Sequence, residues 1–395
     1  MTFFVSLLLL IALAIGAIPV LVLLLQAILA FPRARPATAP EGRRPRVAVL
    51  IPAHNEENGV GATVANVLAQ LRLGDRVLVV ADNCGDGTAA AALAAGAEVR
   101  ERFDAHLRGK GYALDFGVRC LAEQAPEVLL IVDADCLLAV GSVDRLACLA
   151  LHSGRPVQAL DLMRAPPDSG PMKKIAEFAW AVKNFVRPLG FHRLGLPCQL
   201  MGTGMAFPWK MISSASLANG HVVEDMKLGM ELAKAGTPAL FCADAMVTSL
   251  FPVSAAGADT QRARWEHGHI SMILAEAPGL FAAALRQRNL TLVALALDLC
   301  VPPVALLTLL VLALFACAGL FCLLSGAQAP LFAATLVLGA LGTAIMLSWW
   351  RYGRQIVTAR HLLIALFYMF LKIPLYLRFF VRRQVEWVRA QRDSE

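Results

Sequence analysis

Two carboxylates one residue apart, Asp133 and Asp135, follow directly on the apolar run Val128–Val132. A strand that ends in such a pair can present both to one divalent cation, and that cation can bridge two phosphate oxygens and neutralise a diphosphate leaving group. A second acidic pair, Glu224 and Asp225, precedes the helix-like stretch Met226–Ala235. There a carboxylate serves either as a helix N-cap or as a general base for a hydroxyl that attacks poorly until its proton is removed. Gln261, Arg264 and Trp265 stand at i, i+3 and i+4 and so share one helix face. Arg264 can hold a diphosphate by charge-assisted hydrogen bonds, Gln261 can fix an orientation and Trp265 can stack under a sugar ring; Trp and Arg equally suit a helix at a membrane surface. His267 and His269 read as polar residues of the same helix rather than metal ligands, because no third ligand is near in sequence. The nine cysteines form no CxxC pair and no Cys/His ligand spacing, which predicts small buried residues in a reducing compartment rather than a zinc site.

These residues need a scaffold, and the stretch from Arg46 to Val132 supplies its pattern. Strands are expected at 46–51, 76–81, 98–102 and 128–132, alternating with helices at 59–71, 86–95 and 110–121. Such alternation predicts an α/β layer with a mostly parallel sheet. Polar residues gather where the strands end: His54, Asn55 and Glu56 after the first, Asp82 and Asn83 after the second, Asp133 and Asp135 after the last. In open α/β sheets that edge is where ligands bind.

The rest of the chain belongs to a membrane. Of the 395 residues 58% are apolar and 16% charged, with a mean hydropathy of +0.62, which excludes an ordinary water-soluble enzyme. Residues 1–32 hold no charge, and the apolar run Phe3–Phe31 predicts a transmembrane helix rather than a cleaved signal peptide. The Pro-rich linker 33–45 and Arg46 follow; Arg33, Arg35, Arg43, Arg44 and Arg46 against Glu41 place the next segment in the cytoplasm by the positive-inside rule. A domain of 46–289 is expected, then interfacial and transmembrane helices over 290–381 and a basic tail, 382–395. Asp298 and the pair Pro302 and Pro303 predict an interfacial helix near 290–300 and a span over 303–324, with a second span over 331–350. The block 362–381 carries Lys372 and Pro374 and is read as re-entrant or interfacial, giving three crossings; a fourth is the alternative. The net charge of +7 sits beside apolar segments, which suits anionic lipid head groups and argues against nucleic acid.

Taken in order, Pro52–Glu56, Asp82, Asp133–Asp135, Glu224–Asp225 and Gln261–Trp265 resemble the membrane-bound family 2 glycosyltransferases, related to cellulose, chitin-oligosaccharide and poly-N-acetylglucosamine synthases. The resemblance implies an α/β GT-A (nucleotide-diphospho-sugar transferase) domain inserted between transmembrane helices. It implies that Pro52, Glu56 and Asp82 contact the nucleoside of a donor, usually uridine, that Lys110 lies near the diphosphate, and that Asp133 and Asp135 hold the diphosphate with Mg²⁺ or Mn²⁺. Asp225, with Glu224 beside it, matches the catalytic base; Gln261, Arg264 and Trp265, and more loosely Gly202, Thr203 and Gly204, match residues near the acceptor and diphosphate. The implied activity is inverting transfer from a nucleotide sugar to a lipid-linked or glycan acceptor at the inner membrane face, in exopolysaccharide or envelope-glycan synthesis. The implied partners are those two substrates, membrane lipids and the subunits of a polysaccharide assembly system. A processive synthase that exports its polymer is the alternative: the QxxRW pattern favours it and the few crossings count against it. A non-catalytic nucleotide-sugar-binding scaffold is disfavoured because every motif carboxylate is present.

Overall fold

The computed structural model describes residues 2–32, 42–218, 220, 223–252 and 255–381. The basic tail 382–395 and the linker up to residue 41 lie outside the described residues. The apolar helix α1 (Thr2–Ala30) is followed by β1 (Val47–Ala53), α2 (Val60–Leu68), β2 (Arg76–Asp82), α3 (Thr88–Ala94), β3 (Glu98–Arg102), α4 (Lys110–Leu121) and β4 (Val128–Ile131). From β1 onward these elements reproduce the alternation expected from the sequence. Next come β5 (Leu137–Leu138), α5 (Ser142–Ser153), β6 (Val157–Arg164) and α6 (Pro171–Ala181), which runs through a wider π turn into α7 (Arg187–His192). The chain continues with β7 (Met205–Pro208), α8 (Trp209–Ile212), α9 (Glu224–Lys234), β8 (Leu240–Leu250) and α10 (Ala255–Gln287). It ends in α11 (Leu290–Leu299), α12 (Val304–Ser325), α13 (Ala329–Ser348), α14 (Ala359–Leu371) and α15 (Ile373–Val381).

The described residues fall into two units, one from 35–166 and 197–268 and the other from 1–34, 167–196 and 269–383. The first holds a single eight-stranded sheet in the order β3-β2-β1-β4-β7-β6-β8-β5. Strands β3, β2, β1 and β4 are parallel, as are β6 and β8. The expectation of a mostly parallel sheet needs correction in the second half: β7 lies antiparallel between β4 and β6, and β5 antiparallel to β8. Every residue of β1 and β4 is buried, as uninterrupted Val, Leu and Ile runs require when both faces of a strand are covered. Val49, Ile51, Val79, Leu130 and Val132 meet Val64 of α2 and Val143 and Leu146 of α5 in one core. Each such side chain stabilises the layer by about 1.5–3 kcal/mol relative to exposure, so the carboxyl ends of β1, β2 and β4 are held at one edge.

The second unit is helical. Five helices of the chain are long and apolar enough to cross a membrane, by length and composition: Thr2–Ala30, Gln261–Gln287, Val304–Ser325, Ala329–Gly353 and Ala359–Phe379. Helices stand where Pro302, Pro303 and the short link at 325–330 lead one to expect them, as α11, α12 and α13. The last apolar block is broken into α14 and α15 at Lys372. Within this unit α1, α7 and α11 share a buried polar cluster. Gln26 Nε2 donates to Asp298 Oδ1 at 2.6 Å, and Arg187 Nη2 donates to the same oxygen at 2.9 Å and to the Asp298 carbonyl at 2.5 Å.

Candidate functional site

The register of the parallel strands brings the first polar residues together. Pro52 and Ala53 lie opposite Val80 and Ala81, and Leu50 lies opposite Ile131, so β1, β2 and β4 end side by side. The loop after β1 turns at Asn55 and the loop after β2 at Asn83, both at positive φ (55° and 53°), a conformation that asparagine tolerates better than most residues. Their side chains lock the neighbouring loops: Asn55 Oδ1 accepts from Gly85 N at 2.7 Å and Asn83 Oδ1 from Asp104 N at 2.8 Å. Glu56 N donates to Thr88 Oγ1 at 2.7 Å, and the His54 ring lies 2.7 Å from the Asp82 carbonyl. Asp82, the last residue of β2, is 6% exposed. Its partner was not anticipated from the sequence: Arg102 stands opposite it at the end of β3, with Nη1 2.6 Å from Asp82 Oδ1.

A second cluster forms where β4 ends. Lys110 Nζ, at the start of α4, lies 2.5 Å from Asp133 Oδ1 and 4.0 Å from Glu224 Oε1, and donates to the Gly202 carbonyl at 2.7 Å. Asp133 N donates to Thr203 Oγ1 at 3.1 Å, so this loop bonds directly to the backbone of the first acidic residue. Burial opposes the charged form of Lys110, but Asp133, Glu224 and Asp225 outweigh it and hold its pKa above the usual lysine value. Burial pushes Glu224 up to about 7, with Asp225 adding to the rise and Lys110 opposing it. Gly202 and Gly204 take φ of +91° and +64°, and a Cβ on Gly204 would sit 2.8 Å from Val247 Cγ1 and 2.9 Å from Ala159 Cβ. A Cβ on Gly202 would sit 3.3 Å from Asp225 Oδ2, which places that carboxylate beside the loop. The loop is pinned by a residue that sequence reasoning missed. Fully buried Gln158 on β6 donates to the Thr203 carbonyl at 2.9 Å and accepts from Met201 N at 2.8 Å; a lone Gln inside an apolar strand, where its amide must find partners, is the signal that could have found it.

Ligand atoms of Asp133, Asp135 and Cys136 lie within 4.8 Å of one another, the single such group among the described residues. The Thr63 hydroxyl holds this turn by donating to the Ala134 carbonyl at 2.7 Å. The donor set fits a hard divalent cation through its two carboxylates. Cys136 is the softer third donor, less suited to a hard cation than the two carboxylates.

Gln261, Arg264 and Trp265 lie on α10 as the spacing requires, all half-buried. Gly268, three residues on, packs so close to Val223 that a Cβ there would lie 2.7 Å from Val223 Cγ1, which sets this stretch of helix beside the start of α9. His267 and His269 differ from the expectation of a polar helix face: they are 4% and 2% exposed. His269 is turned inward because its Nε2 lies 3.1 Å from the Leu299 carbonyl. All nine cysteines are free thiols; four are buried and Cys317 is exposed, so burial holds for only part of the set.

Residues 45–268 match the family described as glycosyltransferase like family 2. The comparison with curated proteins gave no match. Among solved structures, the mannosyltransferase PcManGT from Pyrobaculum calidifontis in complex with GDP-Man and Mn²⁺ is similar with a TM-score of 0.55 and 18% identity, over 89% of this chain and 100% of that one. Glucosyl-3-phosphoglycerate synthase from Mycobacterium tuberculosis in complex with Mn²⁺, UDP and glucosyl-3-phosphoglycerate gives a TM-score of 0.34 and 16% identity, over 55% of this chain and 77% of that one. The family match spans more than half of the chain, the sheet carries the GT-A architecture, and the chain belongs to the family 2 glycosyltransferases.

Proposed function

We propose that the protein transfers a single sugar, with inversion, from a nucleotide sugar to a lipid-linked or glycan acceptor at a membrane surface. The observation that carries this reading is the convergence on Lys110: one ammonium touches Asp133 and the Gly202 carbonyl and faces Glu224. A donor-side carboxylate, a cation and an acceptor-side acidic pair therefore lie within one reaction distance. Asp133 and Asp135 would hold Mg²⁺ or Mn²⁺, which when bound offsets the charge of a departing nucleoside diphosphate. PcManGT, solved with GDP-Man and Mn²⁺, carries the same two ligand classes on this architecture.

Pro52, Glu56 and Asp82 are assigned to the nucleoside, and Lys110 to the diphosphate. Asp225 takes the proton of the acceptor hydroxyl as that oxygen attacks the anomeric carbon from the face opposite the leaving group. Glu224, with its pKa near 7, moderates the charge around Lys110. Gln261, Arg264, Trp265 and the turn of Gly202, Thr203 and Gly204 border the acceptor and the diphosphate. A membrane-held acceptor is supported by the apolar helices that flank the domain. The arginines between residues 33 and 46 favour a cytoplasmic catalytic domain at the inner membrane, and the likeness to membrane-bound polysaccharide synthases supports a role in exopolysaccharide or envelope-glycan synthesis.

The test is to incubate the detergent-purified full-length protein with Mn²⁺, a panel of nucleotide sugars and a membrane lipid extract, and to weigh the products by mass spectrometry. A lipid heavier by one sugar is expected. A ladder of products would replace single addition by processive synthesis, and no transfer from any donor would remove the reading.

A further inference from the structure

We propose that Arg102 is a positioning residue that sets nucleobase selectivity, by occupying one oxygen of Asp82 and leaving one acceptor for the base. The inference rests on the donor-site reading above and deepens it by naming the base. Asp82 ends β2 at the ligand-binding edge of the sheet, and its Oδ1 accepts from both Arg102 Nη1 at 2.6 Å and Asn83 Nδ2 at 3.1 Å. Among the described residues no hydrogen bond reaches Oδ2, and that oxygen is not sealed from solvent. One oxygen is thus committed inward and one is open.

Arg102 is itself held in place. Its Nη2 donates to the Leu107 carbonyl at 2.7 Å and lies 3.5 Å from Asp104 Oδ2, and its guanidinium sits 5.7 Å from the centre of the Tyr112 ring. The Arg102 and Asp82 side chains are only 10% and 9% exposed, so neither swings aside at low cost to free Oδ1.

A carboxylate accepts hydrogen bonds and donates none. Uracil offers it one imide N–H between two carbonyls, which a single open oxygen satisfies. Guanine offers two adjacent donors, the ring N–H and the exocyclic amine, and satisfies both only where both carboxylate oxygens are open. Cytosine and adenine present a ring nitrogen acceptor at the same place, which a carboxylate repels. The expected order is therefore uracil first, guanine second, and cytosine and adenine last. A buried donor left without its acceptor is costly, and sites built on such pairing discriminate strongly.

The experiment measures UDP, GDP and CDP binding to the full-length protein in detergent with Mn²⁺, by calorimetry, for the wild type, Arg102→Met and Arg102→Lys. The wild type should bind UDP at least about tenfold more tightly than GDP, with CDP weaker still, the factor being that of one unsatisfied hydrogen bond. Arg102→Met removes the charged donor from Oδ1 and leaves only the longer 3.1 Å bond from Asn83, which a guanine donor can displace or share, so the UDP:GDP preference should fall by about tenfold while CDP stays weakest. Arg102→Lys keeps a cation on Oδ1 and should retain the wild-type preference. A ratio of affinities cancels any general loss of binding, and the wild-type and Arg102→Lys measurements stand even if Arg102→Met does not fold. GDP binding as tightly as UDP in the wild type, or an unchanged ratio in folded Arg102→Met, refutes the role of Arg102 and leaves the donor site intact. Binding of none of the three removes the donor-site reading and this inference with it.

Discussion

Glu224→Gln should stabilise the protein at alkaline pH and do little in acid. The ordinary pKa of the side chain is 4.5, and in the fold burial and Asp225 push it up to about 7 against the pull of Lys110. An acid with a raised folded pKa binds more protons folded than unfolded between those two values, so stability falls as pH rises through 4.5 to 7 and stays low above. Gln imitates the protonated form at every pH. Linkage over that interval gives a gain for the variant of about 1 kcal/mol at pH 5 and about 3 kcal/mol at pH 8. For a domain of this size that is roughly 2–3 °C in Tm at pH 5 and roughly 7–13 °C at pH 8. The assay is thermal unfolding of wild type and variant in the same detergent, followed by intrinsic fluorescence from pH 5 to pH 8. A gain that does not grow with pH, or a variant less stable than wild type at pH 8, refutes the placement of an ionised Glu224 in a costly environment.

Asp225→Asn should lower turnover by about 10²–10⁴-fold, the range for loss of a general base, while nucleoside-diphosphate affinity changes by less than about twofold; turnover near wild type would remove the assignment of the base. Asp135→Asn should weaken Mn²⁺ binding, read by electron paramagnetic resonance of the bound ion, and undiminished binding would exclude that carboxylate as a ligand. Arg187→Ala leaves Asp298 without its ion-pair partner, at a cost of about 3–5 kcal/mol, whereas replacing both by Leu should cost less than the single change. Thermal unfolding of the three proteins tests this; equal losses in single and double variants would mean that the pair is not coupled.

The polar edge was legible because β1, β2 and β4 are short apolar runs, and each is followed or ended by polar residues that the core does not need. Periodicity gives the strands, and parallel pairing of β1, β2 and β4 then brings Pro52, Asp82 and Asp133 to one edge. The second half hid itself for a physical reason. Strand β5 has two residues and β7 four, too short for a period to register, and β8 pairs with β6 through a register shift near Ala159. Arg102 and Gln158 were invisible as functional residues because neither belongs to a motif. Their importance comes from register, which sets Arg102 opposite Asp82, and from depth, which leaves the Gln158 amide only the 201–203 loop and its own strand to bond.

The segment 167–196 shows what single polar residues in apolar surroundings are worth as information. Read alone it is an amphipathic stretch that any globular domain could bury, and it falls inside the domain expected over 46–289. Its fate is decided by Arg187, which is 3% exposed and cannot remain there without a counter-charge. The acid that meets it, Asp298, reads from the sequence as a reason to end a membrane span, since a charge in lipid is costly. The only amide of α1, Gln26, has the same difficulty from the other end of the chain. Each of the three is an expense alone, and together Gln26 Nε2 and Arg187 Nη2 find an acceptor in Asp298 Oδ1, while Asp298 finds its donors in them. A charge or amide stranded in an apolar block therefore forecasts a contact, and three of them in one chain forecast each other; on that ground 167–196 belongs with the helices rather than with the sheet.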